Sequence, residues 1–562
     1  MPSKDDVLSA LMLIAPPVPP NTFEFALVMG GTVSAGAYTA GAVDFLVEAM
    51  DCFQAEKTSS GNKYHDVVLK VLSGTSGGSV VAAILARALA YKFPSQYFGA
   101  PPAAETDPVN PLFDTWVNKL DLTPMLATSD IAANSIPSLL NASVIDSTAA
   151  SIETYTGGTL AEPRDWVGAP LTVFMTHTNL SGVPVNIDFG SGQYQRFIEH
   201  ADYIRFAISY PWQLPYANPK PYEFTLNFPV LKQPPMTLWP ALGQFACASA
   251  AFPVGFPTRL LERPMAHYYY RVISTTITPA TTDDLWVIQA DWEAMLNTNA
   301  SPTIGNLRYS AVDGGVANNE PIELARTALA GLLGRNPRGP VEANRAVWLI
   351  DPFAGETDMA SFSVTGILDG GEASLNASLQ QSRYSTADMV LAIDPNVYSR
   401  YMLSAHRNGI SGGKALATGG LSAFMGFACR DFRLYDYYLG RKNCQEFLLT
   451  TFRQSKDNQV FASWTAAQIA AFADGAGDLP IIPLFGSAAE LESLIPWPAG
   501  KLTPTDFAEG IDNRFKAILS AALPESFWGR VGAALGGFLA GSPVSNYVVG
   551  QLNQVLTDWK LQ

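Results

Sequence analysis

The sequence reads as an α/β protein with a central, mostly parallel sheet flanked by helices, followed by a mostly helical C-terminal region. Three observations predict this. Two strand-turn-helix units follow one another between Phe23 and Ala90, short apolar runs recur up to Ile350, and beyond Pro352 the texture turns Gly-, Ser- and Ala-rich with helical patches.

The elements follow in order. After a Pro-rich lead, Phe23 to Met29 (FEFALVM) predicts a short buried strand, Gly30 and Gly31 open a small-residue turn, and AYTAGAVDFLVEAM to Met50 has helical spacing. SSGNKY is a loop, His65 to Leu72 a second buried strand, and Ser79 to Ala90 a second helix. Further strands are predicted at Leu171–Met175, Leu285–Ile288 and Ala346–Ile350, so the sheet draws on residues 20 to 355. The stretch from Tyr210 to Pro240 is too dense in prolines for a regular helix, and reads as an extended segment packed on the core, with a surface lid or an acyl-chain wall as the alternatives. Helical patches follow at Phe432–Phe452 and Val548–Leu561. These boundaries divide the chain into a tail (1–20), an α/β domain with insertions (21–355) and a C-terminal region (356–562).

Composition narrows the function classes. With 562 residues, core size sets no limit. Hydrophobic residues make up 48% and charged residues 15%, which marks a folded protein with apolar surface to account for. A formal net charge of -15 without a Lys/Arg run argues against nucleic-acid binding and against attraction to anionic membranes by charge alone. The four cysteines lie far apart, as buried free thiols would, and suggest neither a metal site nor a disulfide framework. Two aspartates precede the apolar stretch Val7 to Ala15, so it does not read as a signal peptide. Val531 to Gly550 is interrupted by Ser542 and Pro543, short of the ~20 apolar residues that span a bilayer, and reads as a packed helix. The location expected by default is the cytoplasm, with peripheral membrane contact or signal-less secretion compatible with it. Oligomeric state leaves no signal.

The chemistry gathers around Gly74-Thr75-Ser76-Gly77-Gly78, a G-x-S-x-G between a strand and a helix. A sharp turn there needs glycines at Gly74 and Gly78, exposes the Ser76 hydroxyl, and leaves the Gly77 N–H at a helix N-terminus. Ser76 is therefore a candidate nucleophile, although the same residues suit a helix cap or a phosphate-binding turn. The first turn, MGGTVSAG, can supply a second oxyanion donor from Gly30, Gly31 or Thr32, and lacks the Lys-Ser/Thr of a P-loop. None of the five histidines sits in a distinctive motif. In YSAVDGGVANNEP, by contrast, Asp313 ends an apolar run before Gly314 and Gly315, where a partly buried carboxylate can serve as general base or merely cap a turn.

Taken in order, GGTVSAGAYTAGAV, GTSGG, TNLSG, CASAAFPVGFP and DGGVANNEP resemble the patatin-like phospholipase family over residues 24 to about 322. FRLYDYYLGRKNCQEFL resembles a stretch of larger bacterial patatin-like proteins. The resemblance implies a patatin-like three-layer fold, a Ser76-Asp313 dyad, an oxyanion loop at Gly30 and Gly31, a lipid ester substrate, and no metal or cofactor. In one departure, members often have three glycines followed one residue later by Arg or Lys, where this chain has Thr32-Val33-Ser34. Two alternatives to a dyad hydrolase stand beside it: a Ser76, Asp313 and His406 triad esterase, and a catalytically silent lipid- or protein-binding module.

Overall fold

Both strand-turn-helix units form where the sequence places them. Helix α1 (Lys4–Ala10) precedes β1 (Thr22–Met29), which turns into α2 (Gly36–Ser59); β2 (Asp66–Gly74) then turns into α3 (Gly77–Ala88). The computed structural model describes residues 2–61, 63–100, 109–133, 135–157, 159–190, 193–228, 239–276, 279–301, 303–354, 377, 400–522 and 543–562. β1 and β2 pair in parallel from Thr22 opposite Asp66 to Met29 opposite Gly74, so both turns emerge at the same end of the sheet.

Helix α4 (Ser143–Thr154) leads to a long hairpin of β3 (Val167–Gly190) and β4 (Gln193–Ser209), followed by β5 (Phe224–Asn227), α5 (Trp239–Ser249) and β6 (Arg259–Pro264). β7 (Val272–Ser274) and β8 (Leu285–Val287) precede β9 (Asn306–Asp313), α6 (Ile322–Ala330) and β10 (Arg345–Ile350). The C-terminal region adds β11 (Arg400–Leu403), α7 (Arg430–Thr450), α8 (Ala508–Ala522) and α9 (Pro543–Asp558). Among the described residues the main sheet has nine strands in the order β11-β10-β1-β2-β3-β4-β5, with β9 joined to β3 and β6 to β9.

Register explains how distant residues meet. β2 runs parallel to β3 only as far as Gly74 opposite Met175. Beyond that point β9 pairs with β3 in the antiparallel sense and ends with Asp313 opposite His177. The last residues of β2 and β9 thus converge along β3.

Alternation along β1 divides the core into two faces. Phe25 and Leu27 join a large cluster with Val81 and Leu85 of α3, Phe245 of α5 and Phe432 of α7, whereas Ala26 and Val28 pack with Phe174 against Ile322, Ala325 and Leu329 of α6. Helices on both faces make the three layers the sequence predicts.

Three expectations change. The strand at Leu285 does form, but it pairs with β7 in a separate two-stranded sheet, because Leu285 and Val287 bury themselves against Val7 and Leu8 of α1. The main sheet also extends past residue 355, since β11 pairs in parallel with β10. Finally, the lead is not all tail: α1 is helical, and Ser3 caps it through a reciprocal bond pair with Asp6. The C-terminal region shares the large core. α7 crosses α2 so closely that a Cβ on Gly41 would lie 1.9 Å from the Tyr437 carbonyl oxygen, and one on Gly440 2.0 Å from that of Tyr38.

In the stretch from Tyr210 to Pro240, Tyr210 stacks on Trp212 and Phe228, with ring centroids 5.2 and 5.5 Å away, and its hydroxyl donates to the Ala86 carbonyl at 2.8 Å. Tyr210, Leu226 and Phe228 are buried in the core, as an extended packed segment requires, whereas Leu214 between them is exposed; residues 229–238 lie outside the described residues, as do 531–542 of the apolar C-terminal stretch. Among the described residues no helix is long and apolar enough to cross a membrane. Cys247, Cys429 and Cys444 are buried free thiols, and Cys52 is half-buried.

Candidate active site

The turn between β2 and α3 forces Ser76 to φ 52°, ψ -125°, a backbone conformation that costs a residue with a Cβ about 1–3 kcal/mol. The surroundings hold it there. The Ser76 N–H donates to Ser249 Oγ at 2.8 Å, and that oxygen lies 2.8 Å from Ser79 Oγ. On the other side Thr75 Oγ1 meets Thr176 Oγ1 at 2.6 Å and donates to the Asn318 carbonyl at 3.1 Å. Gly78 permits the turn because a Cβ there would lie 2.2 Å from the Met29 carbonyl oxygen.

Asp313 arrives from β9. Ser76 Oγ–H donates to Asp313 Oδ2 at 2.6 Å, with both residues buried. The other carboxylate oxygen accepts the Gly315 N–H at 2.7 Å; the backbone of Asp313 is fixed by its own N–H to the Ala251 carbonyl (2.9 Å) and by Thr178 Oγ1 donating to its carbonyl (2.8 Å). Burial pushes the Asp313 carboxyl up to about 6, against the lowering effect of the Ser76 and Gly315 hydrogen bonds. A carboxylate so placed is ionised near neutrality yet basic enough to take a proton.

The predicted oxyanion donors divide. The Gly30 N–H is committed to the Ile350 carbonyl at 3.1 Å, because the first turn continues the β1–β10 ladder by one bond, so Gly30 is not a free donor. Among the described residues the N–H groups of Gly31, Thr32 and Gly77 make no hydrogen bond. Gly31 lies against Ser76, whose Cβ would be 3.4 Å from a Cβ added to Gly31, and Thr32 Oγ1 would be 2.4 Å from one added to Gly77. That Thr32 hydroxyl is itself buried without a partner. Gly314 and Gly315 form the tight turn after Asp313.

An apolar cavity opens on Ser76 and Gly77, walled by Val33, Val80, Trp116, Ile145, Ile152, Phe252, Phe256 and Phe427. The C-terminal region holds part of this wall. Arg433 of α7, buried without an acidic hydrogen-bond partner, donates to the Val117 carbonyl at 3.2 and 3.0 Å and to that of Phe427 at 3.4 Å; burial lowers its guanidinium to about 10. Ser34 in the first turn is tied to the same region, donating to the Ala423 carbonyl and accepting the Gly426 N–H at 3.1 Å.

His406 is not part of this constellation. It sits against α7, with Nε2 3.2 Å from Glu446 and its N–H donating to Asn443, and it bonds to neither Ser76 nor Asp313. His406→Ala is expected to change ester hydrolysis by less than about threefold, whereas a triad histidine would cost several orders of magnitude; steady-state kinetics on a soluble ester separates the two. Ser249, Ser79 and Thr176 hold the Ser76 turn, and sequence reasoning did not single them out. Ser249 lies within CASAAFPVGFP, but only tertiary structure shows what its hydroxyl holds. Among the described residues no cluster of His, Cys, Asp and Glu has the makings of a metal site.

Comparison with known proteins gives three findings. A family model described as Patatin-like phospholipase matches residues 27–326, which include Ser76 and Asp313. The uncharacterized protein y4iI of Sinorhizobium fredii is 30% identical over 526 residues, spanning 83% of this chain and 71% of its own. Among solved structures, VipD from Legionella pneumophila is matched over 78% of this chain and 69% of its own, with 10% identity and a TM-score of 0.25.

Proposed function

Because the chain belongs to the patatin-like phospholipase family, we propose that it hydrolyses lipid acyl esters through a Ser76-Asp313 dyad and an acyl-enzyme intermediate. The observation that carries this reading is the 2.6 Å hydrogen bond from Ser76 Oγ to Asp313 at a strained turn facing an apolar cavity. Asp313 accepts the Ser76 proton as Oγ attacks the ester carbonyl carbon. The N–H groups of Gly77 and of Gly31 or Thr32 hold the oxygen as it becomes negative. Collapse breaks the ester C–O bond, and the proton passes from Asp313 to the leaving alcohol or lysolipid. A water then gives its proton to Asp313 and attacks the acyl carbon; Ser76 Oγ leaves and recovers that proton, and the fatty acid departs. Asp313 needs no histidine between it and the serine, and every proton taken is returned.

The apolar cavity suits an acyl chain, with the ester carbon at Ser76 and the chain along Val80, Ile145 and Phe256. Peripheral contact with a lipid surface would bring the substrate within reach.

Since only ionised Asp313 can accept the proton, kcat/KM is expected to rise about tenfold per pH unit below about 6 and to level off above it. An uncharged soluble ester, assayed from pH 4.5 to 8, measures this. A rate independent of pH across that range would exclude Asp313 as the base. Absence of turnover on any ester, with lipid binding retained by Ser76→Ala, would instead favour a silent binding module.

A further inference from the structure

A second cavity lies where the α6 face of the sheet meets the packing around α1; it shares no lining residue with the cavity at Ser76. Its walls include Arg205, Arg263 and His267 together with the rings of Phe174, Tyr222 and Tyr270. Such a lining joins an apolar body site to cationic groups.

The charges in and behind this wall do not cancel. Asp202, fully buried, is shared by two guanidinium groups: Arg263 donates to it at 3.0 Å, and Arg271 donates to the same carboxylate oxygen. Desolvation pushes the Asp202 carboxyl up, but Arg271, His177 and Arg263 overcome it and hold it well below the usual range. Arg205 pairs with Glu223 at 2.8 Å. Against three guanidinium groups there stand two carboxylates. The histidines do not alter this balance, since burial lowers His177 and takes His267 down to about 3, leaving both neutral.

Unmet hydrogen-bonding capacity lies in the same place. Two donors, Arg263 Nε in the wall and Arg271 Nε behind it, are buried and have no hydrogen-bond partner among the described residues; nor has His267 Nδ1, a donor or an acceptor according to tautomer. Buried donors without partners are rare, because each costs about 1–3 kcal/mol. One bound anion would answer both the surplus charge and the open donors. The aromatic and aliphatic remainder of the wall asks for an apolar body attached to it.

We propose that this cavity is a binding site for a carboxylic acid with a single negative charge and an apolar body, separate from the hydrolytic site. That chemistry is shared by fatty acids, which ester hydrolysis releases, and by aromatic acids of other origin.

The test is binding to the intact protein, so its outcome does not depend on hydrolysis. Dodecanoate, naphthalene-2-carboxylate and dodecanol are titrated calorimetrically, and amide hydrogen exchange is compared with and without each. Saturable binding of at least one carboxylate is expected, at least about tenfold tighter than dodecanol, with slowed exchange in residues 203–210 and 263–273. Preference for dodecanoate identifies a fatty acid, and preference for naphthoate an aromatic one. Ala328→Trp, which fills the cavity from α6, should weaken binding about tenfold or more without weakening the reaction of Ser76 with a fluorophosphonate probe. Protection confined to residues 145–152 and 246–256, equal affinity for dodecanol, or no saturable binding would overturn the proposal. The exchange readout holds even if the tryptophan variant does not fold.

Discussion

Asp313→Asn is expected to lower kcat/KM for ester hydrolysis by about 10²–10⁴-fold, the contribution of a well-placed general base. Asparagine keeps an oxygen for the Gly315 N–H and nearly the same shape, so the loss would report the missing base rather than a collapsed turn. The variant should also be the more stable protein above pH 6. The carboxyl of Asp313 is raised in the folded state, from 3.8 to about 6. Its contribution to stability is therefore fully present below about pH 4 and is lost as pH rises through about 6. Wild type then carries a buried carboxylate whose ionisation costs on the order of 3 kcal/mol; the asparagine variant does not. Thermal melts at pH 5 and pH 8, run beside the kinetics, check both parts. An asparagine variant that loses activity together with folding would remove this explanation.

Gly78→Ala should be nearly as damaging to catalysis, for a steric reason. A Cβ there would lie 2.2 Å from the Met29 carbonyl oxygen and 2.8 Å from that of Gly30, both backbone atoms at the end of β1. Neither can swing aside as a side chain would. Relief of the clash must separate the Ser76 turn from the Gly30-Gly31 turn, which pulls an oxyanion donor away from the attacked carbonyl. Loss of one such donor costs about 10²–10³-fold in kcat, and overpacking adds about 1–3 kcal/mol of destabilisation. Kinetics and a melting curve on the purified variant test this; activity within threefold of wild type would mean that the two turns do not act together.

Ser76 and Asp313 were legible as candidates because each sits in a local pattern whose physics is local. Glycines around Ser76 announce a turn that no Cβ allows, and Gly314-Gly315 after Asp313 announce another. What brings them together was not legible, because strand β9 enters the sheet against β3 only where β2 has ended, and apolar runs carry no record of register. The same limit explains Gly30. As sequence it is an equal partner of Gly31, but one ladder bond to Ile350 removes its N–H from use. Leu285 to Val287 shows the converse case: its strand character is local and was read correctly, while its partner β7 and its burial against α1 are tertiary facts. Ser249 could not be assigned at all, since a serine in a small-residue helix end looks like any other until it is found 2.8 Å from the Ser76 N–H.

The C-terminal region belongs to this account through Phe427 in the cavity wall, Ser34 bonded to Ala423 and Gly426, and Arg433 holding the Val117 carbonyl. It helps shape the cavity at Ser76 as well as cover the sheet.

The most direct test of the dyad is covalent. Wild type, Ser76→Ala and Asp313→Asn are treated with a fluorophosphonate probe, their intact masses are measured, and the modified peptide is mapped. The account predicts one label per chain on Ser76, none on Ser76→Ala, and labelling of Asp313→Asn slowed by about 10²-fold or more. No label on folded wild type with detergent or lipid present, or labelling of Asp313→Asn at the wild-type rate, would contradict it.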